Sequence, residues 1–196
     1  MTPSWTGSGT SCVADARTAK SGMLARYLIA GALLLCLPVS ANARVTSAGA
    51  GGFVSEHELL ITATPDAVFT ALTRDVGKWW NPDHSYSGKA ENFYLEAHAQ
   101  GCFCERLDDG GVVVHMQVFQ VRPGSFLRLI GGLGPLQGMG ATGSMDFALE
   151  RSDTGTVLTY RYSVSGYLAE GLDTMAAIVD EVQLGQLMRL KSYLNR

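Results

Sequence analysis

The sequence is poor in charge, in cysteine and in long apolar runs. Charged residues make up 17% of its 196 residues, whereas 46% are hydrophobic. This composition excludes an intrinsically disordered chain, which is rich in charge and poor in apolar residues. Fifteen basic residues face eighteen acidic ones, so the chain lacks the basic excess with which proteins neutralise nucleic-acid phosphates. We therefore expect one folded domain and no nucleic-acid partner.

The apolar run near the N-terminus is too short for a membrane span. Residues 28–39 would have to cross about 30 Å of hydrocarbon as a helix, which needs about 20 residues. The run follows Arg26 and precedes Ala41-Asn42-Ala43, as the apolar core of a secretory signal peptide lies between a basic flank and a small-residue cleavage site. The alternative is an uncleaved membrane anchor.

The leader sets the predicted localisation and domain limits. We predict that the protein is periplasmic or secreted, with cleavage near Ala43 and no stable membrane span afterwards. Met23 is an alternative start. The predicted segments are an N-terminal extension over 1–22, a signal peptide over 23–43, a small-residue linker over 44–52 and a folded domain over 53–196.

The cysteines that remain after cleavage are too few for a disulfide scaffold. Cys102 and Cys104 lie two residues apart in a predicted strand, where their Cβ atoms are expected about 6.5–7 Å apart, beyond the reach of a disulfide. A metal site with His98 and His115 is the alternative, but two sulfur ligands of one zinc ion normally have a turn between them. We predict free thiols, no metal and no cofactor.

The start of the folded domain carries clear helix signals. After a strand over 53–63, Thr64 is a typical N-cap and Pro65 suits the first helical position, which predicts a helix over 65–73. A second short helical turn is expected to hold Trp79 and Trp80, one in the core and the other at the rim of a cavity.

The rest of the domain predicts strands and one long helix. Alternating apolar and polar residues separated by turns indicate about six strands between residues 85 and 167. Apolar residues at spacings of three and four predict an amphipathic helix over 172–195. The glycine-rich loop over 131–140 is either a lid or a plain connection. The order predicts an α+β fold in which a curved antiparallel sheet wraps around the long C-terminal helix, with two short helices after the first strand.

Several motifs occur in an order that is typical of one superfamily. They are Thr64–Leu72, Lys78-Trp79-Trp80, Phe93–Glu96, Gly101–Glu105, Val118–Pro123 and Gly185–Asn195. The chain in this respect resembles the SRPBCC (START/Bet v 1-like) superfamily, and most closely its Hsp90-ATPase-activator-like and polyketide-cyclase-like branch. The resemblance implies the helix-grip fold, with a deep cavity for hydrophobic molecules between the sheet and the C-terminal helix. It does not imply one chemistry, because members include carriers, cyclases and regulators.

The resulting functional prediction is an exported domain that binds a hydrophobic small molecule or lipid without catalysis. Its ligand is expected to contact side chains that are apolar or aromatic, or lone polar groups, with inward phase on the sheet and terminal helix. These candidate cavity residues are Trp80, Phe93, His115, Leu129, Met145, Phe147, Tyr160, Tyr162, Met175 and Val179.

An enzymatic function remains the alternative. A polyketide cyclase or dehydrase would act on a ligand in the same cavity with one acid or base, and His115, Tyr160 and Tyr162 are the candidates. No carboxylate pair accompanies them in the sequence. A role like that of the Hsp90 activators is disfavoured by the signal peptide, since that partner is cytosolic.

Overall fold

The computed structural model describes residues 45–196, so the predicted extension and signal peptide lie outside the described residues. The strands are β1 (Val45–Gly49), β2 (Gly52–Ile61), β3 (Phe93–Leu95), β4 (Cys102–Arg106), β5 (Val112–Arg122), β6 (Phe126–Ile130), β7 (Thr142–Ser152) and β8 (Gly155–Ser165). The α-helices are α1 (Pro65–Thr73), α2 (Val76–Trp79), α3 (Pro135–Gly138) and α4 (Asp173–Leu194). Short 3-10 helices cover Pro82–His84 and Ala90–Asn92.

The strands form one antiparallel sheet of eight, in the order β1-β2-β8-β7-β6-β5-β4-β3. Strand β2 pairs with the last strand, β8, and β1 lies at the edge beside β2. Strands β3 to β8 follow one another as a meander. The long helix α4 packs against β1 and β2 and against α1 and α2. This architecture confirms the predicted α+β fold with a curved sheet and a C-terminal helix.

Local signals explain where the first helix begins. Thr64 has extended backbone angles, and its hydroxyl accepts a hydrogen bond from the backbone N–H of Ala67 at 3.3 Å. Pro65 occupies the first helical position, where no intrahelical N–H is needed. The predicted bounds of this helix, 65–73, are confirmed.

The core lies on the face of the sheet that α4 covers. Alternate residues of β7 and β8 point into it, as period-2 patterning predicts. The buried members are Met145, Phe147 and Leu149 on β7 and Leu158, Tyr160, Tyr162 and Val164 on β8.

The predicted linker over 44–52 is wrong for most of its length. Val45–Gly49 form β1, which pairs with β2 through partners such as Ala48 and Phe53. All five residues of β1 are exposed. Since β1 buries none of its side chains, its sequence carries no alternation of apolar and polar residues from which a strand could be predicted.

Within residues 45–196, no helix combines the length and apolar character that crossing a bilayer requires.

Candidate functional site

The interior between sheet and helix is almost completely filled. The cavity there measures about 30 Å³, room for a water molecule or two and not for an organic ligand. Its walls include several of the predicted cavity residues, namely Trp80, Leu129, Met145, Phe147 and Tyr160. In the described residues, these side chains fill most of the space in which the family resemblance places a deep cavity.

A second space is a cleft at one end of the helix, with a volume of about 450 Å³. Trp80, His115, Met175 and Val179 of the predicted set line it. Its remaining apolar wall consists of Leu133, Pro135, Leu136, Ile178 and Val182. The volume and the apolar walls are those of a small-molecule site.

One wall of the cleft is the glycine-rich loop, which includes α3. Tyr162 fixes the start of this loop, because its hydroxyl donates to the carbonyl of Gly131 at 3.2 Å and accepts from the N–H of Leu133 at 3.1 Å. The side chain of Gln137 donates to the carbonyl of Val114. A Cβ on Gly132 would collide with the loop's own backbone at the carbonyl of Ala141. These hydrogen bonds hold the loop in place as a wall of the cleft. Its contacts fit a plain connection between strands, the second of the two predicted roles.

Two predicted cavity residues line neither space. Phe93 is packed between Trp80 and His115, with ring centroids 5.2 and 5.1 Å away. Tyr162 is buried behind the loop that it anchors. Both have the inward phase that was predicted, but neighbouring side chains cover them.

The tyrosines are poorly suited to acid–base chemistry. Burial raises the pKa of Tyr162 to about 12, although the N–H of Leu133 opposes the shift. Burial also raises the pKa of Tyr160 well above its ordinary value, and its hydroxyl donates to Gln183 at 3.0 Å. Both hydroxyls therefore stay protonated near neutral pH and are already engaged in structural hydrogen bonds.

Both tryptophans of the Trp79-Trp80 pair are buried. The expectation that one of them lies at the rim of a cavity is therefore wrong, in that neither side chain is exposed. The indole N–H of Trp79 donates to the carbonyl of Ala71, and that of Trp80 donates to the carbonyl of His84. Trp80 separates the interior cavity from the cleft, since it lines both.

His115 has a partner that the sequence analysis missed. Its Nε2 lies 3.0 Å from Oε2 of Glu105, and both side chains are buried. Glu105 also accepts hydrogen bonds from the backbone N–H groups of Tyr86 and Ser87. Glu105 lies two residues after the apolar Phe103 and therefore on the same, inward face of the strand. An acidic residue on an inward face was the sequence signal that could have identified this partner.

The surroundings favour a neutral histidine beside an ionised carboxylate. Burial lowers the pKa of His115 below its ordinary value, although the hydrogen bond to Glu105 opposes this shift. Burial alone would raise the pKa of Glu105, but hydrogen bonds from Ser87, Tyr86 and His115 outweigh it and lower this pKa below its ordinary value.

Cys102 and Cys104 form a disulfide, so the prediction of free thiols is wrong. Their Cα atoms are 5.4 Å apart, within the range that a disulfide spans. The pairing of β4 with β5 shifts register beside Cys104, and this irregularity departs from the regular strand geometry on which the prediction depended. Among residues 45–196, no three His, Cys, Asp or Glu side chains are grouped so that they could hold a metal ion.

A buried Ser, His and Asp set joins β2 to α4. Ser55 Oγ donates to Asp180 Oδ1 at 2.6 Å, and His57 Nε2 lies 2.9 Å from the same oxygen. A catalytic triad needs the carboxylate and the serine on opposite ring nitrogens. Here Ser55 and Asp180 both approach Nε2, so the set is a structural contact and not a nucleophilic site.

No model of a known protein family matches the chain, and no curated protein does. Solved structures do match. An uncharacterised protein from Rhizobium leguminosarum is 19% identical, with a TM-score of 0.55, and the match covers 77% of this chain and 99% of that one. The di-domain ARO/CYC StfQ from the steffimycin biosynthetic pathway is 16% identical, with a TM-score of 0.50, and the match covers 74% of this chain and 51% of StfQ.

Aha1 from Colwellia psychrerythraea, solved as a dimer, is 23% identical with a TM-score of 0.50, and the match covers 72% of this chain and 96% of Aha1. The chain has the helix-grip fold of SRPBCC proteins. The resemblance predicted from the sequence is thereby confirmed at the level of the fold. Because a fold of this kind serves several functions, the function of this helix-grip domain has to be argued from its own cleft.

Proposed function

We propose that this helix-grip domain binds an apolar small molecule in the cleft between the loop over 131–138 and the N-terminal half of α4. The observation that carries the proposal is the cleft volume of about 450 Å³ behind predominantly apolar walls. Ile178 lines this cleft and is 58% exposed. When a ligand covers an apolar side chain that is exposed in a concave site, apolar surface is removed from water, which favours binding.

The binding proposal is tested with N-phenyl-1-naphthylamine, an uncharged probe whose fluorescence rises in apolar surroundings. We expect saturable binding to the wild type and a loss of affinity of about tenfold or more in Ile178→Glu, because a carboxylate in the cleft wall must be desolvated by the probe. Met188→Glu is the matched control, since Met188 is an exposed apolar residue of the same helix but lies outside the cleft.

The control should bind the probe as the wild type does. Absence of saturable binding to the wild type, or equal losses in Ile178→Glu and Met188→Glu, would contradict a ligand site in the cleft.

Catalysis in the same cleft is the second candidate function, and the Glu105–His115 contact favours it. A carboxylate that holds one ring nitrogen of a histidine orients the imidazole as a base. The fold of the ARO/CYC protein StfQ is compatible with such a use. Binding alone needs no titratable group, whereas a cyclase-like reaction needs His115.

We further propose that the domain acts outside the cytoplasm, in the periplasm or secreted. Support comes from the leader pattern alone, in which Arg26 precedes a short apolar run and Ala41-Asn42-Ala43 follows it. Sequencing the N-terminus of the protein from its own host should show that the mature chain begins at or near Arg44. A full-length chain retained in the cytoplasm would contradict export.

A further inference from the structure

His115 reaches the cleft because of an irregularity in the sheet. In the pairing of β4 with β5, Phe103 lies opposite Met116 and Cys104 lies opposite Val114, so His115 is left without a partner residue. An extra residue of this kind is a β-bulge, which re-aims side chains locally. As a result both His115 and Met116 are buried although they are consecutive, and His115 lines the cleft.

The contact with Glu105 determines which ring nitrogen carries the proton. Oε2 of Glu105 lies 3.0 Å from Nε2 of His115, and an ionised carboxylate only accepts hydrogen bonds. Nε2 is therefore the protonated nitrogen, and in the neutral ring Nδ1 has a free lone pair. Among residues 45–196, no donor reaches this buried Nδ1. A buried acceptor without a partner is unfavourable and calls for an explanation.

Aromatic rings surround the histidine. The ring centroids of Phe93, Phe103 and Tyr86 lie 5.1, 5.5 and 5.8 Å from that of His115. Tyr86 is 58% exposed, lines the cleft, and reaches the carbonyl of Gly134 with its hydroxyl at 3.4 Å. A ligand that approaches the histidine from the cleft has to displace this exposed side chain, whose rotation takes picoseconds to nanoseconds.

We propose that His115 is the specificity-determining residue of the cleft, and that its Nδ1 accepts a hydrogen bond from a hydroxyl group on an apolar ring compound. This inference rests on the proposed binding function and adds the chemical class of the ligand. The apolar body of the ligand occupies the cleft, and its hydroxyl supplies the donor that Nδ1 lacks. A methyl ether of the same compound lacks that donor and leaves Nδ1 unpaired.

The test compares 2-naphthol with 2-methoxynaphthalene by isothermal titration at neutral pH. We expect the wild type to bind 2-naphthol about five- to tenfold more tightly, the range that one net hydrogen bond provides. In His115→Phe this ratio should fall to about one, since phenylalanine keeps the ring and removes the acceptor. Affinity for 2-methoxynaphthalene should be retained.

His98→Phe is the matched control, because His98 is exposed and lies outside the cleft. It should keep the wild-type preference for the hydroxyl. A second measurement needs no variant. In the ring ¹⁵N spectrum of wild-type protein, the Nδ1 resonance of His115 should shift with 2-naphthol and remain in place with 2-methoxynaphthalene.

The outcomes separate the two proposals. If both probes bind the wild type with equal affinity, or if His115→Phe keeps the preference for 2-naphthol, the hydroxyl assignment is overturned while binding in the cleft stands. If the Nδ1 resonance of the wild type does not shift with 2-naphthol, the hydroxyl assignment is overturned even when the variant fails to fold. If neither probe binds, the binding function and the hydroxyl assignment both fall.

Discussion

Replacing Phe147 with alanine is expected to lower the free energy of unfolding by about 3–5 kcal/mol, the usual range for a large core aromatic. Phe147 is 8% exposed and contacts Tyr160 with ring centroids 5.3 Å apart. The interior cavity beside it measures only about 30 Å³, so almost the whole ring volume would become a new void. The expected loss is thus that of a packed core and not of a residue bordering a ligand cavity.

Urea unfolding followed by tryptophan fluorescence measures this change, because Trp79 and Trp80 are both buried in the native state. Phe119→Ala is the control, since Phe119 is 61% exposed on β5 and surface substitutions usually alter stability by less than about 0.5 kcal/mol. A loss below about 1 kcal/mol for Phe147→Ala would indicate a much larger interior cavity than the structure contains.

Removing the carboxylate of Asp180 is expected to be equally damaging. Oδ1 of Asp180 accepts a hydrogen bond from Ser55 Oγ at 2.6 Å and lies 2.9 Å from His57 Nε2. All three side chains are buried, so Asp180→Ala leaves two polar groups of β2 without their acceptor. A buried donor left without its acceptor costs about 1–3 kcal/mol, and two groups lose theirs here.

Glu181→Ala is the matched control for this substitution. Glu181 is the next residue of the same helix and is exposed, so both variants carry the same change of charge, and helix propensity rises in both, more so for Asp180→Ala. Thermal and urea unfolding should show a loss for Asp180→Ala and stability within about 0.5 kcal/mol of the wild type for Glu181→Ala. Equal effects of the two substitutions would show that the contact does not hold α4 on the sheet.

The outcome of the Asp180 experiment also bears on the cleft. Asp180 connects α4 to β2 and directly follows Ile178-Val179, two residues that form part of the cleft wall. If the contact is lost, the segment of the helix that lines the cleft keeps the hydrogen bond from Tyr160 to Gln183 but loses its attachment to β2. Probe binding in an Asp180 variant that still folds should therefore weaken, even though Asp180 itself does not line the cleft.

Features that depend on neighbours along the chain were predictable from the sequence. Helix α1 begins at Pro65 because Thr64 caps it, and cap geometry involves only residues within one helical turn. The strands β7 and β8 were recognisable because side chains alternate between core and solvent with a period of two. The order of these elements was sufficient to predict an α+β fold with a curved sheet around the terminal helix, and the resemblance to the superfamily supplied the helix-grip fold.

The partners of the buried polar side chains depended on the tertiary structure alone. Glu105 meets His115 only because β4 and β5 pair with a bulge at His115, and the alternating pattern of the two strands does not mark where such an extra residue falls. The same irregularity accompanies the disulfide between Cys102 and Cys104. Asp180 reaches Ser55 across 125 residues of sequence, a contact set by how α4 lies on the sheet.

The size and place of the cleft were likewise decided by packing. The sequence indicated the inward aromatic residues, but whether they enclose a void or fill it depends on how their volumes fit together. Phe147 and Tyr160 fill the space under the helix and leave about 30 Å³ there, whereas the cleft beside His115 measures about 450 Å³. The sequence by itself therefore determined the fold and which side chains face inward, and the packing of those side chains decided where a ligand could bind.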